Sequence, residues 1–66
     1  MTLDAEFSDH GSLWLVHLYS EAAQDWVASN VSDDAQWLGA TLVVEPRYVA
    51  NLAEGMADAG LAVGRV

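Results

Sequence analysis

The 66-residue sequence contains no cysteine, no lysine and a single proline. Without cysteine, disulfide bridges and thiolate metal sites are excluded, so packing or oligomerisation must stabilise so small a domain. No apolar run approaches the roughly 18 residues that span a bilayer, and the first residues lack the basic segment of a secretory leader. These absences predict a cytoplasmic protein that does not associate with membranes.

What the sequence does contain is apolar and acidic. Apolar residues make up 53% of the chain, which is typical of a folded protein, and the formal net charge is -8. The length fits one domain spanning residues 1–66, and a chain this short buries only about 60% of its unfolded surface. The excess of carboxylates repels nucleic acid and anionic membranes and favours basic protein surfaces.

The first half of the sequence predicts two strands followed by a helix. Apolar and acidic residues alternate over 3–7, and residues 12–19 are apolar on both alternating faces, which is typical of a central strand. Ser20 is a suitable N-cap for a helix over 21–30, whose apolar stripe contains Ala23, Trp26 and Val27.

The middle of the sequence admits two interpretations. Asp33, with Gln36 three residues later, can cap a single helical turn that ends at Gly39. A short strand from Gln36 to Leu38 is equally compatible with the pattern. The predicted sheet of three to four strands does not count this short strand.

The second half predicts a strand, a helix and a strand. Residues 41–44 alternate between two faces, and Pro46 stands where a helix begins, since its missing N–H is not needed there. Gly60 marks the helix end, and the core stripe between them is Val49, Leu52, Ala53 and Met56. With a last strand over 61–65, we predict an α/β (α+β) fold in the order β-β-α-β-α-β, with a small mixed sheet and both helices on one face.

Three motifs stand out along the chain: His10-Gly11-Ser12, Asp34-Ala35-Gln36 and Val43-Val44-Glu45-Pro46-Arg47-Tyr48. Three single residues accompany them, namely Trp26, Gly39 and Gly60. In this combination they resemble a family of short bacterial and prophage proteins with no known activity. The resemblance spans most of the chain and implies a compact α/β protein without a catalytic role. Size and acidity are also similar to those of phage anti-defence inhibitors, including some anti-CRISPR proteins, although no motif supports that class.

No cluster of residues predicts catalysis, a cofactor or a metal. Asp9, His10 and Ser12 have the residue types of a catalytic triad, but we interpret them as turn residues because no nucleophile turn or oxyanion hole is encoded. His17 is expected to be a neutral, hydrogen-bonded imidazole within a strand. The histidines and carboxylates match no metal-binding motif, and the junction Glu45-Pro46-Arg47 lacks the glycines of a phosphate cradle. We therefore expect a non-enzymatic protein.

Acidic residues of the two predicted helices are the main candidates for partner binding. Each helix has two acids four residues apart, where like charges repel by about 0.2–0.5 kcal/mol per pair. Trp37, beside two aspartates in the irregular segment, is a candidate interface anchor. We predict that the following residues bind a basic protein surface, such as that of a nucleic-acid-binding protein: Glu21, Asp25, Asp33, Asp34, Trp37, Glu54 and Asp58.

Two alternatives remain open at this point. Adaptation to a salty cytoplasm, or solubility alone, also explains an acidic surface without lysine. A small domain without disulfides or metals can also gain stability as a structural or regulatory homodimer, through a strand edge or the outer face of the sheet.

Overall fold

The structure is a computed structural model that describes residues 2–31 and 35–66. Within these residues it contains two helices, α1 (Glu21–Asn30) and α2 (Pro46–Asp58), and five strands. The strands are β1 (Ala5–Asp9), β2 (Trp14–Leu18), β3 (Gln36–Leu38), β4 (Thr41–Val44) and β5 (Val63–Arg65). The mixed α+β class is confirmed. The predicted count of three to four strands and the order β-β-α-β-α-β were wrong, because the chain runs β-β-α-β-β-α-β.

The additional strand is β3, which forms a hairpin with β4. Gly39 has a φ of 64°, whereas no described non-glycine residue has a positive φ, Ala40 included. This is the pattern of a type II′ turn, in which glycine takes the first central position. Glycine is equally suitable at a helix end, so the sequence alone is compatible with either a helical turn or a strand before Gly39. The pairing of residues 36–38 with β4 shows that they form a strand.

The five strands form one mixed sheet in the order β3-β4-β2-β1-β5. Strand β2 is antiparallel to both β1 and β4, β3 is antiparallel to β4, and β5 is parallel to β1. It follows that α1 connects β2 to β3, and α2 connects β4 to β5, between strands that run in the same direction. Each helix therefore makes a crossover of the kind that parallel strands require.

Both helices pack against the same face of the sheet. Alternate residues of β1, β2 and β4 enter a single core with one side of each helix, and its buried members are Ala5, Phe7, Val16, Leu18, Ala23, Val27, Leu42 and Met56. The opposite face of the sheet receives neither helix. The fold is therefore a two-layer arrangement with one covered and one uncovered sheet face.

The helix boundaries follow from local chemistry. The Ser20 hydroxyl accepts the Ala23 backbone N–H at 3.0 Å and caps α1. Pro46 is the first residue of α2, and beyond its end Gly60 has a φ of 85°. The Leu61 backbone N–H then donates to the Met56 carbonyl at 3.0 Å, which closes the helix end. Neither of these two helices, which are those of the described residues, has the length and hydropathy of a membrane-spanning segment.

Candidate protein-interaction site

The outer side of the helix layer carries four of the predicted binding residues. Glu21 and Asp25 lie on α1, Glu54 and Asp58 lie on α2, and all four are exposed. Spacing by four residues keeps the members of each pair on one side of their helix. We call these four residues the acidic helix surface.

Helices α1 and α2 contact each other through Trp26 and Gly55. A Cβ atom placed on Gly55 would lie 2.8 Å from Trp26 Cζ2, so the indole lies directly against the α2 backbone. Asp25 immediately precedes Trp26, and Glu54 immediately precedes Gly55. The contact therefore holds the two helices side by side in one layer.

Neither arginine neutralises the acidic helix surface. Arg47 Nε lies 3.1 Å from Glu45 Oε2, and this is the ion pair found among the described residues. The Arg47 guanidinium also lies 4.8 Å from the ring centroid of Tyr48. The Arg65 guanidinium lies 5.0 Å from the ring centroid of Trp14, a cation–π contact beside β5. Both arginines therefore contact residues other than these four carboxylates, although Arg47 lies on the same side of α2 as Glu54, seven residues before it.

The other four described carboxylates each have a partner within the fold. Asp4 accepts a hydrogen bond from the Ala62 backbone N–H at 2.7 Å, and this bond, together with one from Ser20, holds the pKa of Asp4 below its ordinary value. The remaining partners are the Tyr19 hydroxyl for Glu6, the Gly11 backbone N–H for Asp9 and Arg47 for Glu45. Within residues 2–31 and 35–66, no such hydrogen bond or ion pair reaches the four carboxylates of the acidic helix surface.

Trp37 lies apart from these carboxylates, at the edge of the sheet. It is 47% exposed, and it pairs with Leu42, which pairs in turn with Val16 and through it with Phe7. Paired residues share a face, so Trp37 ends a row on the helix side of the sheet. It belongs to a strand and not to an irregular segment. Two further predicted residues, Asp33 and Asp34, lie outside the described residues.

The uncovered face of the sheet carries a hydrogen-bond network around His17, whose hydrogen bonding the sequence predicts but whose partners it does not. His17 Nε2 lies 3.3 Å from Ser8 Oγ, and His17 Nδ1 lies 3.5 Å from Thr41 Oγ1. His10 Nε2 reaches the same Ser8 oxygen at 2.9 Å. Because one hydroxyl donates only one hydrogen, at least one of the two imidazoles donates its Nε2–H to Ser8.

Tyr19 extends this network along the same face. Its ring stacks with that of His17 at a centroid distance of 6.3 Å, and its hydroxyl donates to Glu6 Oε1 at 2.9 Å. That hydrogen bond to Glu6 is the main reason why the pKa of Tyr19 lies above its ordinary value of 10.0. The network can be located only when the register of β1 against β2 is known, because that register places Glu6 opposite His17.

None of the carboxylates that the structure describes is hydrogen-bonded to either imidazole of the network. No group of three or more His, Cys, Asp or Glu side chains able to hold a metal ion occurs among the residues that the structure describes. Asp9, the third residue type of a triad, accepts the Gly11 backbone N–H at 2.8 Å and closes the turn after β1. The histidine network connects β1, β2 and β4 across the uncovered face through Ser8, His17 and Thr41.

An open groove of about 720 Å³ lies between the start of α2 and the β3–β4 hairpin. Its lining is mostly apolar and includes the exposed side chains of Leu13 and Tyr48, with Glu45 as its charged residue. Ligand sites combine apolar walls with convergent polar groups, and the polar side chains of this lining are those of Asn30, Gln36, Glu45, Tyr48 and Asn51. Among the described residues, the groove therefore has mostly apolar walls with amide groups and one carboxylate.

No protein-family model matches the chain, and neither a curated protein nor a solved structure is significantly similar to it. The resemblance to the bacterial and prophage family stays a prediction. Function has to be argued from the surfaces described above.

Proposed function

We propose that the protein is a non-catalytic interaction module whose acidic helix surface docks on a basic surface of another protein. One observation supports the proposal: every other described carboxylate has a partner within the fold, whereas these four face solvent in two repulsive pairs. The same four residues are therefore available to cations from outside the described chain.

The energetics of the helices favour an external cation. Each acidic pair destabilises its helix by about 0.2–0.5 kcal/mol. Asp58 is the last residue of α2, and no basic residue stands in the last turn of either helix. Positive charge is preferred at this end of a helix, so a bound Lys or Arg side chain both attracts the carboxylates and relieves their repulsion.

A nucleic-acid-binding protein is the fitting class of partner. Such a protein presents clustered Lys and Arg residues that neutralise a polyanion, and a chain of net charge -8 competes for the same residues. Under this proposal, the predicted anti-defence role is competitive inhibition, in which this protein occupies the basic residues that otherwise bind nucleic acid. The complex should form quickly and weaken as salt rises.

The test uses a polyarginine peptide of about ten residues as the basic probe, titrated at low salt while the amide chemical shifts are followed. We expect the shift changes to concentrate in α1 and α2. Changes confined to the sheet edges would contradict the proposal.

A charge-matched pair of variants separates the site from the net charge. Glu54→Gln with Asp58→Asn removes two charges from the acidic helix surface and should weaken peptide binding about fivefold or more. Thr2→Lys with Val66→Lys alters the net charge equally at exposed positions outside the helices and should bind more nearly as the parent protein does. Equal weakening by both variants would mean that binding responds to net charge and not to this surface.

A further inference from the structure

Strand β3 is a terminal strand of the sheet, and its short length of three residues is its main protection against pairing. Its three residues are all exposed, with Leu38 at 65% and Trp37 at 47%. Natural edge strands are also blunted by lysine, proline, bulges or inward-pointing charges. Residues 35–44 contain no charged residue and no proline, so β3 exposes apolar side chains and backbone hydrogen-bonding groups together.

We propose that β3 pairs antiparallel with β3 of a second copy of this chain and forms a weak homodimer with one continuous sheet. The proposal goes beyond the proposed function because it uses a different side of the molecule. Two-fold pairing centred on Trp37 sets Trp37 of each copy opposite its equivalent and Gln36 opposite Leu38. Such an interface is self-complementary, as a two-fold dimer requires.

The hairpin geometry supports this register. Hydrogen-bonded and non-hydrogen-bonded pairs alternate in an antiparallel ladder. A two-residue turn at Gly39 and Ala40 is closed by hydrogen bonds between Leu38 and Thr41, which directs the backbone N–H and C=O of Trp37 towards the outer edge. Two copies can therefore exchange both hydrogen bonds at Trp37.

The charge distribution permits a second copy at this edge, because residues 35–44 are uncharged and the carboxylate that follows them, Glu45, is paired with Arg47. Two molecules of net charge -8 repel each other, so contact requires a surface without carboxylates. Across the uncovered face, Leu38, Thr41, His17 and Glu6 form one row. Glu6 is three strands away from Leu38, or about 14 Å, which exceeds the Debye length of about 8 Å at physiological salt.

The size of the contact sets the expected strength. A stable interface buries about 800 Å² on each partner, and a three-residue edge with Trp37 and Leu38 offers less. We therefore expect a dissociation constant in the range of about 10 µM to 1 mM.

The test is sedimentation velocity of the full chain from about 10 µM to 1 mM, in low and high NaCl. We expect dimers that tighten about threefold or more as salt rises, because salt screens the repulsion between the copies. Docking on a basic partner has the opposite salt dependence, so failure of one proposal is distinguishable from failure of the other. A monomer at every concentration, or a dimer weakened by salt, would overturn the proposal.

Two matched variants locate the contact. Leu38→Lys places a charge on the β3 edge and should weaken the dimer about tenfold. Val66→Lys makes the same change of charge at a side chain of similar exposure, 73%, next to the opposite edge strand, and should leave the dimer at least as strong. Equal effects of the two variants would overturn the proposal.

A measurement on the unaltered protein complements the variants. On concentration, the backbone amide resonances of residues 36–38 should shift more than those of α1 and α2. Shifts centred on the helices or on β5 would place the contact elsewhere and overturn the assignment to β3.

Discussion

Asp4 shows how a single carboxylate can hold distant parts of the chain together. Its side chain accepts the Ala62 backbone N–H at 2.7 Å, and its own backbone N–H donates to the Ala62 carbonyl at 2.8 Å. Ala62 precedes β5, the strand that pairs in parallel with β1. The two hydrogen bonds therefore fix the start of β1 beside the approach to β5, and the carboxylate acts there as a structural acceptor.

The lowered pKa of Asp4 makes this stabilisation dependent on pH. A folded-state pKa below the unfolded value of 3.8 means that ionised Asp4 stabilises the folded state above that value. The stabilisation is lost as the pH falls through the folded-state pKa. We predict that Asp4→Asn, which imitates the protonated carboxyl, lowers the Tm at pH 7, and that the Tm difference from the parent shrinks below about pH 3.8.

Thermal unfolding followed by circular dichroism between neutral and acidic pH tests this prediction. Asp25→Asn is the matched control, since it removes the same charge from the acidic helix surface without breaking a hydrogen bond found in the described residues. It should not lower the Tm at pH 7, because it relieves a repulsive pair. A Tm difference for Asp4→Asn that stayed constant with pH would show that ionised Asp4 does not stabilise the fold.

At the scale of elements, the sequence predicts those features that depend on chemistry within a few residues. Ser20, Pro46 and Gly60 mark helix ends correctly, because capping, the missing N–H of proline and a positive φ act locally. The sequence does not decide between a strand and a helical turn at β3, because Gly39 fits a helix end and a hairpin turn alike. The sheet order, with β5 beside β1, depends on pairing between distant residues that no local pattern encodes.

The candidate site is likewise predictable from the sequence only where it depends on local spacing. The spacing of the acidic pairs on α1 and α2 is visible in the sequence because it depends on helical periodicity alone. Which carboxylates have partners is not visible, because the bonds Asp4–Ala62 and Glu6–Tyr19 join residues far apart in sequence. The partners of His17 are not visible for the same reason, since they depend on the register of β2 against β1 and β4.

The contact between Trp26 and Gly55 gives a prediction about how the two helices pack. Alanine is normally favoured over glycine inside a helix by about 1 kcal/mol. At Gly55, however, a Cβ would lie 2.8 Å and 3.2 Å from the Trp26 ring, and overpacking costs about 1–3 kcal/mol. We predict that Gly55→Ala lowers the free energy of unfolding by about 1 kcal/mol.

A double-mutant cycle measured by urea denaturation checks the cause. In a Trp26→Ala background the ring is gone, so Gly55→Ala should become stabilising by up to about 1 kcal/mol. The reversal of sign distinguishes a tertiary clash from an effect of helix propensity. If Gly55→Ala were destabilising by the same amount in both backgrounds, the contact between the helices would not explain it.

At the scale of the whole molecule, the two proposed surfaces fit together. Antiparallel pairing of β3 in a continuous sheet is generated by a two-fold axis perpendicular to that sheet, so both helix layers lie on the same side. The dimer would then present two acidic helix surfaces in one direction. Bivalent presentation raises the apparent affinity for an extended basic partner without any new contact.

The uncompensated charge also makes the stability of the monomer depend on salt. With ten acidic residues, two arginines and no lysine, self-repulsion opposes the compact state. We predict that the Tm rises by several degrees between about 20 mM and 500 mM NaCl, measured at a protein concentration low enough to exclude dimers. Glu54→Lys with Asp58→Lys halves the formal net charge and should both raise the Tm at low salt and reduce its salt dependence.

The low-salt measurement also separates the explanations of the acidity. A protein adapted to a salty cytoplasm is expected to lose its fold when self-repulsion is no longer screened. If the parent chain is folded at about 20 mM NaCl, salt is not required for folding, and partner binding and solubility remain as reasons for the acidic helix surface. Partner binding and solubility predict different results for Glu54→Lys with Asp58→Lys. If the surface binds a partner, this more stable variant should lose more affinity for the polyarginine peptide than a variant with an equal charge change elsewhere. If the acidity serves solubility alone, the two variants should lose affinity equally.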